Sequence, residues 1–326
     1  MVTVTTAARL HFGFQNLALA NERLYGGVGA ALDRPALELS ASPAEAVVCD
    51  DAAAEPYVRR AVAVLGVEGA RVAVRQRMPR HVGFGSGTQL ALAALVAVAR
   101  AHDREVDPRE LAPDLGRGGR SGVGVATFES GGFVVDGGHP TERFTAEPPA
   151  EGDWTVPPVI ARHDLPEDWR FVLVVPEVDQ GVSGREEDRR MRETVERADP
   201  GIADDVAAVL TRRLLPAAAT GDAMRFGDAA AAIGRLNGAW YADEQGGVYR
   251  PPAGRIVERL ARRPEIAGAG QSSWGPAVWG LTTRADVDAA ETGVEMALSD
   301  LAVDADVLVA APRDEGATVA DGPTLG

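Results

Sequence analysis

Three glycines and two hydroxyl residues stand directly before a long apolar run in this 326-residue chain. They occupy the segment Gly83-Phe-Gly-Ser-Gly-Thr-Gln89, and the run Leu90–Ala99 follows without a break. Glycine lets a backbone approach a ligand closely, and the N–H groups at a helix N-terminus favour an anion. The segment therefore predicts a phosphate or pyrophosphate site. A glycine turn capped by Ser86 or Thr88 is the structural alternative.

A second glycine-rich segment, Gly116–Gly124, contains Arg117, Arg120 and Ser121, and Arg80 precedes the first segment. Arginine binds phosphate through a planar fork of donors, often with two hydrogen bonds. We therefore expect these side chains to bind phosphate, with a solvated basic loop as the alternative.

A third glycine segment, Gly268–Pro276, places Gln271, Ser272 and Ser273 before Trp274. Amide and hydroxyl groups in a tight turn are suited to orient a sugar or an aromatic ring. A structural turn around a buried tryptophan would explain the same residues.

The charge pattern limits which groups can bind phosphate. The formal net charge is −15, and all 33 basic residues are arginine, because the chain has no lysine. A GxxxxGK[ST] phosphate loop and a Schiff-base lysine are therefore impossible, and phosphate binding must use arginines, backbone amides and a metal. The acid excess argues against nonspecific binding to nucleic acid or anionic membranes. Together with the absence of lysine, whose codons are AT-rich, it indicates a salt-loving host with a GC-rich genome.

Other features indicate structure rather than chemistry. Cys49 is the single cysteine and lies in no Cys/His cluster, so neither a disulfide nor zinc is expected. His102 and His139 read as surface residues, and the charged helix at 184–197 reads as a solvated face. The run Leu90–Ala99 is too short to span a bilayer, and no signal-peptide core precedes it, so we expect a cytoplasmic protein.

The order of the predicted elements indicates an α+β fold with two lobes. Strands and helices alternate irregularly, unlike a doubly wound sheet. Residues 145–168 are rich in proline and acidic residues, which is typical of a junction. We place the lobes at 1–155 and 156–326. Predicted strands cover 1–14, 26–39, 71–76, 131–135, 169–175, 277–282 and 306–310, and predicted helices cover 56–65, 90–100, 108–115, 184–197, 202–215, 220–242, 253–262 and 285–298.

These segments together resemble the GHMP kinase superfamily. Pro79-Arg-His-Val-Gly-Phe-Gly-Ser-Gly-Thr-Gln89 is similar to its PxxxGLGSSAA motif, and Gly268–Gly275 is similar to its C-terminal glycine motif. The resemblance implies an N-terminal lobe like ribosomal protein S5 domain 2, a ferredoxin-like C-terminal lobe and a ligand between them. Kinases of this family often carry an aspartate in a Ser-Gly-x-Asp motif, where this chain has Ser121-Gly-Val-Gly124. The base that phosphoryl transfer uses is therefore missing at that position.

Four longer blocks resemble one subfamily, the archaeal β-ribofuranosylaminobenzene 5′-phosphate synthases of methanopterin biosynthesis. The blocks are Arg9–Gly13, Arg80–Leu90, Gly118–Gly124 with Gly131–Gly138, and Gly270–Pro276. The resemblance implies a pentosyltransferase that condenses 4-aminobenzoate, or a related 4-substituted benzoate, with phosphoribosyl pyrophosphate. Carbon dioxide and pyrophosphate would be released.

That reaction suggests a role for each predicted site residue. Arg9 and His11 are the predicted catalytic residues and would hold the carboxylate until it leaves, although His11 is equally well explained as a structural histidine. Mg²⁺ is the expected cofactor, with Ser86 and Glu129 as its contacts. The predicted phosphate- and substrate-binding residues are Arg80, Gly83, Gly85, Ser86, Gly87, Thr88, Gln89, Arg117, Arg120, Ser121, Gln271, Ser272 and Ser273.

Two other functions stay open from the sequence. One is an ATP-dependent small-molecule kinase, and the other is a noncatalytic protein that binds a phosphosugar or a nucleotide. In each case the expected partners are small molecules, with neither nucleic acid nor membrane among them. A homodimer is one open assembly state.

Overall fold

Two long antiparallel strands, β1 (Val2–Asn16) and β2 (Arg23–Pro43), form the centre of the first sheet. The computed structural model describes residues 1–145, 149–150, 152–178 and 185–322, without the side chains of residues 185–187. The strand order is β12-β1-β2-β4-β3, while β5 and β6 pair with β2 and β7 pairs with β5. The further strands are β3 (Val48–Cys49), β4 (Ala70–Gln76), β5 (Phe133–Asp136), β6 (His139–Pro140), β7 (Val159–His163) and β12 (Thr318–Asp321).

One helix, buried over most of its length, packs against this sheet. It is α2 (Ser86–Ala101), and every side chain from Gln89 to Ala99 is buried, as its all-round apolar sequence predicts. It contacts β1, β2 and two neighbouring helices, α1 (Glu55–Leu65) and α4 (Val123–Ser130). The short helix α3 (Pro108–Leu111) and a 3₁₀ turn at Pro113–Leu115 connect α2 to the second glycine segment, and another 3₁₀ turn lies at Thr141–Arg143.

The second sheet has the order β11-β8-β10-β9, and all its pairs are antiparallel. Its strands are β8 (Trp169–Pro176), β9 (Gly268–Gln271), β10 (Val278–Thr283) and β11 (Ala305–Ala310). The sequence of elements is strand, helices, strand, strand, helix, strand, which is the ferredoxin-like arrangement expected. The helices are α5 (Arg185–Arg197), α6 (Pro200–Val209), a π-helical turn Leu210–Leu214, α7 (Leu215–Thr220), α8 (Ala223–Trp240), α9 (Ala242–Gln245), α10 (Ala253–Leu260) and α11 (Val287–Leu301).

Helix α8 joins the two sheets, because it contacts β1 of the first and β9 and β10 of the second. Phe12 of β1 meets Phe226 of α8 and Trp279 of β10, with ring centroids 5.9 and 5.2 Å apart. The α+β prediction is confirmed. The lobe boundary at 155/156 stays a prediction, and both β7 and β12, which follow it, pair with the first sheet. Among the described residues, no helix combines the length and the apolar character needed to cross a membrane.

Candidate active site

A cavity of about 440 Å³ lies where the second glycine segment and the start of α2 face β1. Its described lining holds five arginines and a single carboxylate, that of Asp188. The arginines are Arg9, Arg117, Arg120, Arg143 and Arg192. In a chain with a net charge of −15, this concentration of positive charge marks the cavity as a site for a polyanion.

The first glycine segment brings the N-terminus of α2 to this cavity. Gly85 adopts a left-handed conformation, and its carbonyl oxygen accepts the N–H groups of Thr88 and Gln89 at 3.0 and 3.1 Å. A Cβ atom at Gly87 would lie 3.5 Å from Nη1 of Arg117, so that guanidinium group lies beside the first turn of the helix. Arg117 and Thr88 both line the cavity. The N-terminus of α2 and the Arg117 guanidinium therefore face the same part of the cavity, as the sequence predicts.

Arg9 holds the first segment against β1. Its backbone N–H donates to the carbonyl oxygen of Phe84 at 3.1 Å, and its guanidinium Nη1 donates to the carbonyl oxygen of Gly83. Arg9 also lines the cavity, so it both shapes the loop and contributes positive charge.

The third segment contributes less to the cavity than predicted. Ser272 is fully buried, and its hydroxyl accepts the backbone N–H of His11 and donates to the carbonyl oxygen of Gly83. The amide of Gln271 donates to the carbonyl oxygen of Ser273 at 2.9 Å. Gln271 lines a narrow neighbouring pocket of about 30 Å³. Ser273 and Trp274 line both cavities, so the turn presents these two residues while Gln271 and Ser272 hold its shape.

His11 lies at the junction of the two cavities. Its Nε2 atom is 3.3 Å from the hydroxyl of Ser121, and that hydroxyl is 3.0 Å from Oδ2 of Asp136. Burial, helped by the positive charges of Arg9 and Arg120, lowers the pKa of His11 to about 3. The imidazole is therefore neutral at neutral pH.

His139 is a correction to the sequence analysis, because it is buried rather than at the surface. Its Nε2 atom lies 3.2 Å from the carbonyl oxygen of Gly118, and Arg143 donates to its Nδ1. Burial, followed by the charge of Arg143, lowers the pKa of His139 to about 4. His139 thus places Arg143 at the second glycine segment. No periodic pattern along the chain indicates this contact.

Helix α5 is a second correction, because it is more than a solvated face. Asp188, Met191 and Arg192 line the cavity, and Arg120 lies 3.5 Å from Asp188. The Arg192 guanidinium lies 4.4 Å from the centre of the Phe144 ring. Tyr25 also lines the cavity with a positive φ of 69°, which is uncommon for a bulky residue.

Arg80, Ser86 and Gln89, which the sequence predicts to bind substrate, do not line the cavity. Arg80 and Ser86 line a separate pocket with Asp51 and Arg77. Gln89 is buried; its side chain accepts the Thr6 hydroxyl and donates to the carbonyl oxygen of Gly124 at 2.9 Å. Its polar groups therefore join β1 and α4.

The predicted metal contacts are also separated. Glu129 binds Arg109 at 2.7 Å and lines another pocket together with Val96 and Arg100 of α2. Those residues follow Ser86 by ten or more positions, which is about 15 Å or more along a helix. No group of three or more His, Cys, Asp or Glu side chains in the described ranges could hold a metal ion. The residues present do not fit a magnesium site formed by Ser86 and Glu129.

Residues 51–132 match a family described as the GHMP kinases N terminal domain. The chain is 33% identical to the beta-ribofuranosylphenol 5'-phosphate synthase of Methanothermobacter thermautotrophicus, over 96% of this chain and 97% of that protein. It is 31% identical to the synthase of the same name from Archaeoglobus fulgidus, over 92% of each.

A solved structure shares the fold. The Methanococcus jannaschii mevalonate kinase superposes with a TM-score of 0.67 at 13% identity, covering 96% of this chain and 98% of that one. This likeness confirms the expected two-lobed GHMP-kinase fold and, at such low identity, shows the fold alone.

Proposed function

Because the chain belongs to the family of the beta-ribofuranosylphenol 5'-phosphate synthases and is an enzyme of pentosyltransferase type, we propose that it transfers a 5-phosphoribosyl group from phosphoribosyl pyrophosphate to a 4-substituted benzoate. The observation that carries the proposal is the cavity beside the N-terminus of α2. Its described lining contains five arginines and one aspartate. Phosphoribosyl pyrophosphate is a polyanion that needs such a lining.

The proposed step forms one bond and breaks two. The ring carbon that bears the carboxylate attacks C1 of the ribose, and the C1–O bond breaks with its electron pair leaving on pyrophosphate. The bond from the ring to the carboxylate then breaks, carbon dioxide leaves, and the electron pair restores the aromatic ring. Groups that stabilise the negative charge developing on the leaving group accelerate this step.

We assign the pyrophosphate to the N-terminal side of α2. Thr88 and Arg117 line the cavity there, and the helix dipole also favours an anion. We assign Arg120, which lines the same cavity, to the pyrophosphate as well. Arg143 and Arg192 would then bind the 5-phosphate. Mg²⁺ stays a proposal. Since the described residues contain no group of three or more metal-ligating side chains, we expect the substrate phosphates to supply most of its ligands.

The acceptor is proposed to be 4-hydroxybenzoate or 4-aminobenzoate. The relatives' names contain a phenol, which has a hydroxyl group where the aminobenzene product has an amine. Phe14 and Trp274 line the main cavity and provide apolar surface for either ring. The further proposal that the product serves methanopterin-type cofactor synthesis depends on which acceptor is used.

The kinase alternative has less support. Gly124 occupies the position where kinases of the superfamily often carry an aspartate, and a Cβ atom there would lie 3.2 Å from Thr88. A residue with a side chain at this position would need Thr88 to shift by a few tenths of an ångström.

The test uses each acceptor with a ¹⁴C-labelled carboxylate, phosphoribosyl pyrophosphate and Mg²⁺, at low and high salt. We expect release of labelled carbon dioxide and pyrophosphate in equal amounts. Arg120→Gln should abolish or strongly reduce release, whereas Arg213→Gln, which changes a surface arginine paired with Asp228, should not. No release with either acceptor at any salt concentration would refute the proposal. ATP consumption with a panel of alcohols would support the kinase instead.

A further inference from the structure

A chain of hydrogen bonds runs from a buried carboxylate to the imidazole at the cavity. Asp136 is completely buried, and its Oδ2 lies 3.0 Å from the Ser121 hydroxyl, which lies 3.3 Å from Nε2 of His11. His11 and Ser121 line the cavity, whereas Asp136 does not. Such a chain has a direction, because each hydroxyl or ring N–H has one proton to donate.

Backbone donors set the direction at the buried end. The N–H of Gly122 donates to Oδ2 of Asp136 at 2.7 Å, and that of Gly138 donates to Oδ1 at 2.9 Å. The N–H of Gly27 also donates to this carboxylate. Burial raises the pKa of Asp136, and these N–H groups oppose that effect. With donors on both oxygens, the ionised carboxylate has an acceptor for each of them, and the Ser121 hydroxyl must donate to it.

The direction of the Ser121 hydrogen bond determines which nitrogen of the His11 ring carries the proton. Since the Ser121 proton points to Asp136, the Ser121 oxygen can only accept at its other side. It accepts the N–H of Val123 at 3.2 Å, and Nε2 of His11 is its remaining neighbour. Nε2 must therefore carry the proton. Among the described residues, none is hydrogen bonded to Nδ1 of His11.

We infer that His11 is held as the Nε2–H tautomer and offers the Nδ1 lone pair to a hydroxyl group of a bound substrate. This inference rests on the proposed function for its substrates. Ser121 and Asp136 are positioning residues, because they act through His11.

This assignment changes the role predicted for His11. A neutral imidazole that presents a lone pair repels a carboxylate, so His11 does not hold the benzoate carboxylate beside Arg9. It accepts a hydrogen bond from an O–H group instead. Two substrate sources have that chemistry: the ribose hydroxyls of the phosphoribosyl donor and the phenolic hydroxyl of 4-hydroxybenzoate.

Nitrogen-15 NMR of the ligand-free protein with labelled histidine tests the tautomer. We expect the His11 signals of a neutral Nε2–H ring at pH 7, assigned by their loss in His11→Gln. His139 is an internal reference, because Arg143 donates to its Nδ1 and so fixes the same tautomer. Ser121→Ala should shift the tautomer populations of His11 while leaving His139 unchanged. A neutral Nδ1–H ring, or an unchanged His11 spectrum in Ser121→Ala, would overturn the inference.

Binding measurements identify the hydroxyl source. The wild type should bind either phosphoribosyl pyrophosphate more tightly than its 2-deoxy and 3-deoxy analogues, or 4-hydroxybenzoate more tightly than benzoate, by about tenfold. Whichever of these two preferences the wild type shows, His11→Gln should reduce it. Preferences that are absent, or that persist in His11→Gln, would overturn the assigned contact. The NMR result needs no turnover, so a correct tautomer without carbon dioxide release would refute the proposed function alone.

Discussion

The hydroxyl of Ser272 donates a hydrogen bond of 2.8 Å to the carbonyl oxygen of Gly83, across 189 positions of sequence. The same hydroxyl accepts the backbone N–H of His11 at 3.1 Å. The first glycine segment, the third glycine segment and β1 therefore meet at one buried side chain. The shape of the cavity depends on this junction as well as on the residues that line it.

We expect Gly83→Ala to destabilise the protein more than an ordinary glycine substitution. Gly83 has a φ of +106°, and an added Cβ atom would lie 2.3 Å from the carbonyl oxygen of Ser272. The left-handed backbone costs about 1–2 kcal/mol for a residue with a Cβ atom, and the clash adds about 1–3 kcal/mol. Unfolding by urea, followed by circular dichroism, measures the loss.

Gly66→Ala is the matched control for this variant. Gly66 also has a left-handed φ, of +61°, but no atom lies within 4 Å of its added Cβ. Its variant should lose only the backbone contribution to the free energy of unfolding. Equal losses in the two variants would show that the junction tolerates the extra atom.

Arg117→Gln should raise the KM for the phosphoribosyl donor by about tenfold or more, because a charged hydrogen bond to phosphate contributes about 1.5–3 kcal/mol. Nε of Arg117 is buried without a hydrogen-bond partner in the described part of the chain, and the guanidinium lies 5.4 Å from the centre of the Tyr57 ring. Steady-state kinetics of carbon dioxide release measure the change. Arg259→Gln, at a surface pair with Asp300, should leave the KM within about twofold. A similar KM in both variants would contradict the charge assignment.

The sequence predicted the features that depend on local patterns. The apolar run after Gly83–Gln89 identified α2, and Arg117, Arg120 and Ser121 were found because they stand within a glycine segment. It did not find Arg143 and Arg192. These two arginines enter the cavity from a 3₁₀ turn and from α5, which lie next to each other only after folding.

A residue in a glycine motif need not present its side chain to the cavity. Ser272 and Gln89 stand in glycine segments, yet both are buried and their polar groups bind other parts of the protein. Spacing along the chain shows that such residues lie near a site. It does not show whether a side chain points into the cavity or into the core.

Glu129→Gln should leave the apparent Mg²⁺ requirement of the reaction unchanged. Its carboxylate accepts hydrogen bonds from Nε and Nη2 of Arg109 at 3.0 and 2.7 Å, in a pocket separate from the main cavity. Because the pair is partly exposed, its loss should lower the free energy of unfolding by about 1 kcal/mol. Mg²⁺ titrations of activity and urea unfolding check the two statements. A several-fold weaker response to Mg²⁺ would restore Glu129 as a metal contact.

The stability of the protein should fall between pH 7 and pH 4.5, partly because of His139. Burial lowers the pKa of this residue from 6.5 to about 4, so the folded state favours the neutral ring. A group with a depressed folded-state pKa stabilises the protein above its unfolded pKa, and this contribution is lost as the pH falls towards the folded value. At pH 4.5 the lost contribution is about 2–3 kcal/mol. In His139→Gln, the free energy of unfolding measured with urea should differ correspondingly less between pH 7 and pH 4.5. His81→Gln changes an exposed histidine and should keep the wild-type difference in the free energy of unfolding between the two pH values. If His139→Gln also kept that difference, His139 would take up a proton as readily in the folded state as in the unfolded state.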